Sequence, residues 1–547
     1  MLRHILSASL FFASFIAPAV AGFGVTESGN SFVVDTDGGL VFTVNKQNGD
    51  ITSMIFNGIQ AQDQSKRSHI SSGLGTAPCS WTKIGNYIKI TCTTSTLTQY
   101  YVAQYKNPAI HMATYITAEP SIGELRFIAR LNANSIPNGY AASKIAGSSS
   151  TVEGSDVFVV NGQTRSKFYS SRRFIDDQVH GATGPGIGAY MIIPGTGYES
   201  ASGGPFFRDI NNQNGGQQEV YYYMNSGHTQ TEAYRMGLHG PYLLQFTTGS
   251  VPSADINLAF WDGLGIKGYV PRSGRGFVKG KASGVPSNYA GSVVVGWSNS
   301  AAQYWTRAEA SGNYYSPAMK PGTYTMTMYK GELAVTTSSV TISAGQTGTA
   351  NIQSAEANPA VIWQIGDFDG TPRGFLNAES HDRDRAPVGQ TVCIACDFVR
   401  AFWTDTITSM HEWLRTYTVG QQDIGYFPMA IFKAIGPATV RWSLNSSQTG
   451  ARTLEIGVTL AFAGGRPQVT INGWTGPAPP APNQPSSRGV TRGKCTWRGN
   501  NTLYTVKIPA GVLKSNEVNV MTISALSGSS GDTYLSPNIV IDAVRLY

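Results

Sequence analysis

Two short segments, about sixty residues apart, together offer a lysine, a histidine and several phenols that could move protons. Residues 163–169 read QTRSKFY and include Lys167, and residues 221–228 read YYYMNSGH and include His228. A lysine, a histidine and several phenols in one cleft could remove one proton and deliver another. The functional interpretation therefore depends on whether Lys167 and His228 meet.

Elimination next to a carboxylate is one chemistry that such residues could perform. It needs a cation that holds the carboxylate, a base for the proton on the adjacent carbon, and an acid near the leaving oxygen. Arg126, Lys167 and His228 could fill these three roles. Hydrolysis of a glycosidic bond is the alternative, and it needs two carboxyl groups about 5 to 9.5 Å apart. The candidate carboxylates for hydrolysis are Asp176, Asp177, Asp209 and Glu232.

Each of these residues also has a structural interpretation, which spacing alone favours. Lysines in exported sandwich proteins are mostly solvated, and a histidine after Asn-Ser-Gly is usually a turn residue. The tyrosines at 221–223 would normally be one strand with alternating faces. Arg126 and Arg130 share a strand face, where they could form an exposed cationic stripe. His239 and Arg208 could line the cleft or serve only in packing.

Strands dominate the chain and must position these groups. Up to about residue 263, segments of alternating or apolar β-branched and aromatic residues are separated by Gly, Asn and Ser turns, and long helical patterns are absent. The pattern predicts an all-β protein whose first domain, residues 22–265, is a large antiparallel sandwich. Short, evenly spaced strands with Pro-Gly turns predict a fibronectin-type sandwich for residues 266–356. Residues 357–547 favour a jelly roll that could bind glycans.

The N-terminus predicts export. Arg3 and His4 precede an apolar run over residues 5–20 that closes on Ala-Val-Ala, which is typical of a signal peptide spanning residues 1–21. No later window reaches the roughly 18 consecutive apolar residues of a membrane span. The remaining 526 residues suit three domains. We expect a secreted, extracellular protein without a membrane anchor.

The charge balance is consistent with an anionic glycan as the partner. The net charge is +7 and the pI is near 9.0, and aromatic residues make up 11% of the chain. This surplus could serve solubility alone, but lysines and arginines also bind carboxylates while ring faces stack on sugars. Nucleic acid is not expected, because no dense Lys/Arg run is present and the compartment is wrong. We expect a monomer.

The five cysteines are too few for a disulfide-built scaffold in so long a chain. Cys79 and Cys92 flank an alternating stretch and are predicted to bridge neighbouring strands. Cys393, Cys396 and Cys495 leave an odd thiol. A zinc site at Cys393 and Cys396 lacks a second ligand pair at metal-site spacing.

Several longer motifs carry a specific resemblance. They are SIGELRFIARL (121–131), SKFYS (166–170), GGPFFRD (203–209), MNSGH (224–228), RMGLHGPY (235–242) and SRGVTRG (487–493). Together they resemble fungal rhamnogalacturonan lyases of polysaccharide lyase family 4, and the similarity runs from the mature N-terminus to the last strand.

The resemblance implies an endo-acting enzyme that cleaves the rhamnose–galacturonate backbone of pectin by β-elimination. In that family the lysine matched by Lys167 is the proposed base, the histidine matched by His228 the proton donor, and the arginine matched by Arg126 binds the substrate carboxylate. Tyr221 and Tyr223 match active-site tyrosines. The implied fold is a galactose-mutarotase-like sandwich, a fibronectin-like domain and a jelly roll like a carbohydrate-binding module. A glycoside hydrolase or a non-catalytic pectin-binding protein remains the alternative.

Metal and glycan sites follow with less support from the residues. A guanidinium can neutralise a substrate carboxylate, so we expect no cofactor for catalysis. Asp367 and Asp542 could supply oxygen ligands to a structural calcium in the third domain, although two carboxylates do not define a site that needs six or more oxygens; the alternative is two ordinary surface aspartates. Asn445 and Asn500 begin acceptor sequons for N-glycans.

One interval departs from the family pattern. Residues 380–412 stand where a shorter passage is expected, and they include Cys393 and Cys396 together with an apolar stretch that lacks turn residues. We interpret residues 388–409 as a retained intron or another gene-model error. A tryptic peptide from this interval in the secreted protein would overturn that interpretation.

Overall fold

The structure is a computed structural model. It describes residues 22–120, 124–139, 146–153, 157–160, 163–166, 168–170, 172–214, 216–226, 232–376, 378, 385–386, 390–391, 416–433, 436–482, 501–526 and 537–547. The predicted signal peptide, Lys167, His228, Asn500, Cys393, Cys396, Cys495 and most of 388–409 lie outside these ranges. Within them, no helix is long and apolar enough to cross a membrane.

The described residues of the first domain form twenty strands. They are β1 (Gly24–Ser28), β2 (Ser31–Asp35), β3 (Leu40–Asn45), β4 (Ile51–Phe56), β5 (Ile59–Gln60), β6 (His69–Ile70), β7 (Cys79–Ile84), β8 (Tyr87–Thr93), β9 (Leu97–Gln104), β10 (Ala109–Ile116), β11 (Glu124–Leu131), β12 (Ser150–Glu153), β13 (Val157–Val160), β14 (Gln163–Ser166), β15 (Phe168–Ser170), β16 (Val179–Gly184), β17 (Ile187–Ile192), β18 (Ile210–Asn214), β19 (Gln218–Ser226) and β20 (Gly237–Thr247). Short 3₁₀ helices span Phe174–Asp176 and Ala259–Gly263.

Two large sheets of this domain pack face to face. One has the strand order β16-β17-β20-β10-β9-β8-β7, and the other has the order β15-β18-β19-β11-β6. Phe127 and Tyr222 of the second sheet point inward and contact Tyr242 of the first, with ring centroids 6.0 and 4.9 Å apart. Because side chains alternate along a strand, the neighbours of Phe127 and Tyr222 face outward. A five-stranded sheet, β1 to β5, and a three-stranded sheet, β12 to β14, complete the domain.

The second domain is a small sandwich of two sheets around Trp297 and Met326. Its sheets have the orders β24-β21-β27, with β28 beside β21, and β23-β22-β25-β26. The strands are β21 (Phe277–Ser283), β22 (Val293–Ser298), β23 (Gln303–Arg307), β24 (Asn313–Tyr315), β25 (Gly322–Lys330), β26 (Leu333–Ile342), β27 (Thr347–Thr349) and β28 (Ile352–Gln353). Short 3₁₀ helices span Arg272–Gly274 and Ser287–Ser292.

In its described ranges the third domain has two five-stranded sheets that enclose one apolar core, and a two-stranded sheet formed by Arg385–Ala386 and Gln390–Thr391. Its strands are β29 (Trp363–Gly366), β30 (Arg385–Ala386), β31 (Gln390–Thr391), β32 (Thr416–Thr418), β33 (Ala430–Phe432), β34 (Ala438–Ser443), β35 (Arg452–Phe462), β36 (Arg466–Ile471), β37 (Trp474–Thr475), β38 (Thr502–Ile508), β39 (Val518–Leu526) and β40 (Asn538–Leu546). Short 3₁₀ helices span Ile424–Tyr426 and Ser446–Gln448. The all-β prediction is confirmed.

The predicted disulfide is confirmed. Cys79 and Cys92 are directly opposite each other on the antiparallel pair β7 and β8, and their sulfurs are bonded. The bridge therefore joins neighbouring strands at the edge of the seven-stranded sheet.

A buried charge cluster fastens the first domain to the second. The Glu199 carboxylate accepts from Arg275 Nη1 at 2.7 Å, from Lys320 Nζ at 2.9 Å and from the Tyr304 hydroxyl at 2.7 Å. The Glu199 side chain is only 2% exposed. Burial raises the pKa of Glu199, but Lys320 and Arg275 lower it by more, so the group is a carboxylate in the folded protein.

Glu199→Gln should therefore destabilise the joined domains strongly. The substitution leaves two cations at the interface without their counter-charge, which costs about 3 to 5 kcal/mol for a buried pair. Thermal unfolding of the whole chain measures the effect. Glu517→Gln is the matched control, because Glu517 pairs with Lys514 at 65% and 51% exposure and such pairs contribute about 0 to 1 kcal/mol. Equal midpoints for the two variants would contradict the importance of the cluster.

Candidate active site

The candidate site lies on the outward face of the sheet that contains β11 and β19. In their antiparallel register, Arg126 is opposite Tyr223, Ile128 is opposite Tyr221, and Arg130 is opposite Glu219. A bulge between Leu125 and Arg126 shifts the register at the end of the pair. These three cross-strand pairs thus place two arginines, two tyrosines and one glutamate on the same face of the sheet.

Arg126 is held mainly by rings and one carboxylate. Its Nη1 contacts the Tyr223 hydroxyl and lies 2.6 Å from Glu124 Oε2. The guanidinium carbon is 5.6 Å from the Tyr221 ring centroid and 5.2 Å from that of Tyr223, which is the range of cation–π contacts. Nε is buried and has no hydrogen-bond partner in the part of the chain that the structure describes. The side chain is 17% exposed, so the guanidinium is fixed but still reachable.

Tyr221 and Tyr223 remain neutral phenols. Burial raises the pKa of each well above its ordinary value, with further contributions from Glu219 at Tyr221 and from Asp209 at Tyr223. A tyrosinate base is therefore unsuited to this site near neutral pH. Tyr222, between them, is buried in the core and donates to the Gly197 carbonyl. The tyrosines can thus contribute hydrogen bonds and ring surfaces.

Lys167 and His228 lie outside the described residues, so their meeting stays a prediction. In the sequence, Lys167 directly precedes β15, whose Phe168 pairs with Gln213 of β18. His228 follows the last residue of β19, Ser226, by two positions. Both are therefore sequence neighbours of strands in the sheet that carries Arg126.

Arg208 and His239 are both buried and bonded to other protein groups. Arg208 forms a two-pronged ion pair with Glu332 of the second domain, at 2.9 and 2.7 Å. His239 is fully buried, its Nε2 lies 3.0 Å from the Arg235 carbonyl, and burial lowers its pKa to about 3. His239 lies on β20 of the other large sheet, whereas the neighbours of Arg208, Phe207 and Ile210, pack with Tyr221 and Tyr223. Substrate contacts of Arg208 and His239 stay predictions.

The carboxylates proposed for hydrolysis all have partners within the protein. Asp176 bonds Arg173 and Arg307, and Asp177 bonds His180. Asp209 accepts the backbone N–H of Ile210, and Glu232 bonds Arg235 at 2.7 and 2.9 Å. Each of the four is tied to a partner within the first two domains. This placement offers no support for a pair of carboxylates facing a substrate among the described residues.

His180 bonds to the backbone of β19 at the candidate site. Its Nε2 lies 2.6 Å from the Tyr221 carbonyl oxygen, and its Nδ1 lies 3.0 Å from Asp177 Oδ2. Both partners are acceptors, so both ring nitrogens must carry protons. Burial lowers the pKa of His180, but the Asp177 carboxylate raises it by more, and the net shift is upward. A protonated histidine thus anchors the backbone of β19 at Tyr221.

The pair predicts a pH-dependent stability. The pKa of His180 in the folded protein is higher than the unfolded value of about 6.5. The stabilisation that protonated His180 gives to the fold is therefore complete below about pH 6.5, and it is lost as the pH rises through the folded-state pKa. His180→Gln should cost about 3 to 5 kcal/mol at acidic pH, because Asp177 is left buried without its cation. The gap between wild type and variant should narrow toward alkaline pH. Thermal unfolding across the range tests this, and a constant gap would contradict it.

Three residues of the site were not anticipated from the sequence. Glu124 and Glu219 contact Arg126 and Tyr221, and His69 on β6 reaches Arg130. Period-two alternation places Glu124 on the Arg126 face and Glu219 on the Tyr221 face. The alternation of Glu124 and Glu219 could have been read from the sequence. The pairing of β6 with β11, which brings His69 to Arg130, could not.

In the third domain, Asp542 is a loop anchor. Its Oδ1 accepts the backbone N–H groups of Asp369, Gly370 and Thr371 at 3.2, 2.8 and 3.0 Å. Asp367 is exposed. Among the described residues, no group of three or more His, Cys, Asp or Glu side chains is arranged to hold a metal. The calcium prediction therefore gains no support from this placement.

The predicted glycan acceptor Asn445 is exposed at the start of a 3₁₀ turn, where its side-chain oxygen accepts from the backbone of Ser447 at 3.0 Å. Its modification stays a prediction, as does that of Asn500.

Comparison with known proteins places the whole chain in one family. Family models match residues 23–268 (rhamnogalacturonan lyase B, N-terminal), 274–350 (polysaccharide lyase family 4, domain II) and 361–546 (polysaccharide lyase family 4, domain III). The chain is 51% identical to a rhamnogalacturonate lyase A from Emericella nidulans over 97% of each chain. It is also 51% identical to a rhamnogalacturonate lyase A from Aspergillus aculeatus, over 99% of this chain and 100% of that one.

Among solved structures, a glycoside hydrolase family 81 enzyme from Clostridium thermocellum matches at a TM-score of 0.18 and 10% identity, over 56% of this chain and 33% of that one. That similarity is too low to carry an argument. The three family models, by contrast, span nearly all of the chain after residue 22, and the two curated relatives align over almost their full length. This chain therefore belongs to polysaccharide lyase family 4.

Proposed function

We propose that this protein is a secreted rhamnogalacturonan endolyase that cleaves rhamnose–galacturonate linkages of pectin rhamnogalacturonan I by β-elimination. The observation that carries the proposal is the reachable Arg126 guanidinium between two neutral tyrosines, in a chain that is half identical to rhamnogalacturonate lyases over nearly its full length. A cation on an aromatic floor suits a uronate, whose carboxylate needs a counter-charge and whose ring can stack.

The proposed reaction balances with three protein groups. Neutral Lys167 takes the proton from C5 of the galacturonate, and the C–H electron pair forms the C4=C5 double bond. The C4–O4 bond breaks, and His228 gives a proton to the departing O4. Arg126 pairs with the carboxylate and stabilises the charge that spreads into it as C5 loses its proton. The products are an unsaturated galacturonate at a new non-reducing end and a free hydroxyl on the leaving rhamnose.

The lysine must be neutral to act as a base. An unperturbed lysine has a pKa of about 10.4, so a working value near 7.5 requires about 4 kcal/mol of destabilisation of the ammonium form. A guanidinium close to the lysine and partial burial of its side chain would both act in that direction. The substrate carboxylate acts in the opposite direction unless it is already paired with Arg126. Carboxylate binding by Arg126 and proton removal by Lys167 are therefore coupled, and no catalytic metal is needed for the neutralisation.

One assay separates the proposal from its alternatives. The protein is incubated with deacetylated rhamnogalacturonan while ultraviolet absorbance and reducing ends are followed together. Elimination yields both signals, because the unsaturated uronate absorbs. Reducing ends without the chromophore would indicate a glycoside hydrolase, and binding with neither signal would indicate a pectin-binding protein. Size-exclusion chromatography of the products distinguishes internal from terminal cleavage.

A further inference from the structure

We propose that Glu219 is a positioning residue that accepts the hydrogen bond of the Tyr221 hydroxyl and fixes the Tyr221 ring beside Arg126. The proposal rests on the function proposed above. It concerns a line of contacts that runs along the outward sheet face from Tyr221, through Glu219 and Arg130, to His69 and Asp50.

The hydroxyl of Tyr221 donates its single proton in a hydrogen bond to Glu219, the nearer of two acceptors. Tyr221 Oη lies 2.5 Å from Glu219 Oε2 and 2.9 Å from Gln213 Oε1. A phenol has one proton, and an ionised carboxylate can only accept. A third group that meets this hydroxyl therefore finds lone pairs rather than a proton, so Tyr221 can receive a hydrogen bond from a substrate hydroxyl or an ammonium group.

Glu219 is itself held as a carboxylate. Its Oε1 accepts from Arg130 Nε at 2.9 Å and from Gln217 Nε2 at 2.6 Å. Burial raises the pKa of Glu219, but hydrogen bonds from Tyr221, Arg130 and Gln217 lower it by more. The side chain is 6% exposed. The carboxylate is thus both charged and immobile.

Arg130 is fixed in turn by the neighbouring strand. Its Nη1 lies 2.8 Å from His69 Nε2 and donates to the Arg67 carbonyl at 3.0 Å. His69 Nδ1 lies 3.2 Å from Asp50 Oδ1. When Arg130 donates to His69 Nε2, a neutral His69 carries its proton on Nδ1, which points to Asp50. Each hydrogen bond along the line from Arg130 to Asp50 then has one donor and one acceptor.

The fixed ring of Tyr221 contacts the guanidinium of Arg126 and so restricts its orientation. The Tyr221 and Tyr223 rings are stacked with centroids 5.6 Å apart at 23°, and the Arg126 guanidinium contacts both. Among the described residues Arg126 Nε has no hydrogen-bond partner, so the ring contacts add to the Nη1 bonds with Glu124 and Tyr223 in orienting the guanidinium. With the Tyr221 backbone carbonyl bonded to His180 and its hydroxyl to Glu219, both polar ends of the tyrosine are fixed.

The test is a double-mutant cycle on the full chain with Glu219→Gln and Tyr221→Phe. Glu219→Gln should lower kcat/KM on deacetylated rhamnogalacturonan by about tenfold, mostly through KM, since the carboxylate-binding arginine loses its support. In the Tyr221→Phe background the same change should have less than about a twofold effect, because Glu219 acts through the hydroxyl that is gone.

Glu455→Gln is the matched control. Glu455 of the third domain is also a buried carboxylate that accepts from an arginine and a tyrosine, Arg545 at 2.7 Å and Tyr547 at 2.9 Å. It should lose stability like Glu219→Gln while keeping wild-type kinetics. Equal kinetic effects of Glu219→Gln in both backgrounds, or none in the wild-type background, would overturn the proposal. A wild-type protein without lyase activity would instead overturn the proposed function.

Discussion

Lys167→Ala should lower kcat by about 10²- to 10⁴-fold while KM changes little, which is the usual contribution of a positioned general base. The proton on C5 leaves only if a neutral acceptor lies within reach, and alanine provides none. Arg126 still binds the uronate, so the substrate should saturate the variant at similar concentrations. Initial rates of ultraviolet absorbance increase over a range of rhamnogalacturonan concentrations measure both constants.

Lys167→Arg distinguishes a base from a simple cation. Arginine keeps the positive charge but stays protonated at every accessible pH, so it cannot accept the C5 proton. The arginine variant should be as inactive as the alanine variant. Activity that survives in Lys167→Arg would mean that Lys167 binds the carboxylate instead. Wild-type kcat in Lys167→Ala would remove the residue from the mechanism, and Lys514→Ala, at an exposed third-domain lysine, serves as the unaffected control.

Local pattern predicted those parts of the site that lie on single strands. Alternation along β11 placed Arg126 and Arg130 on one face, and the structure has them opposite Tyr223 and Glu219. The disulfide followed from the same kind of local reasoning, because Cys79 and Cys92 flank a short hairpin. These features depend on contacts between residues close in sequence, where strand periodicity is informative.

The remaining features depend on contacts that no local pattern encodes. Arg208 reaches Glu332, 124 positions away in the second domain, so its burial follows from how two domains dock. Glu219 meets Arg130 only because β19 pairs with β11 in one particular register, 89 positions apart. Cross-strand register of this kind is set by the whole sheet. The family resemblance supplied residue roles, but not these contacts.

Arg126→Ala should both raise KM and lower kcat, with a fall in kcat/KM of about 10²- to 10³-fold, the loss typical of a removed charge-stabilising donor. The guanidinium contacts the substrate carboxylate in the bound complex and again, more strongly, as negative charge spreads from C5. Alanine also removes the cation from the 2.6 Å pair with Glu124, so the face loses positive charge where the uronate must bind. The lost contact with the carboxylate and the changed charge of the face each weaken substrate binding and slow proton removal.

Substrate charge is the control that isolates this role. Wild type should prefer rhamnogalacturonan with free carboxylates over the same polymer with methyl-esterified galacturonates, since only the free acid forms a charge-assisted pair with Arg126. Arg126→Ala should lose most of that preference, and Arg126→Lys should keep part of it, because lysine retains the charge but not the planar fork. If Arg126→Ala lowers activity equally on both polymers, the arginine stabilises the fold rather than the carboxylate. Unfolding of the same variants then separates the two, because a purely structural role requires a matching loss of stability.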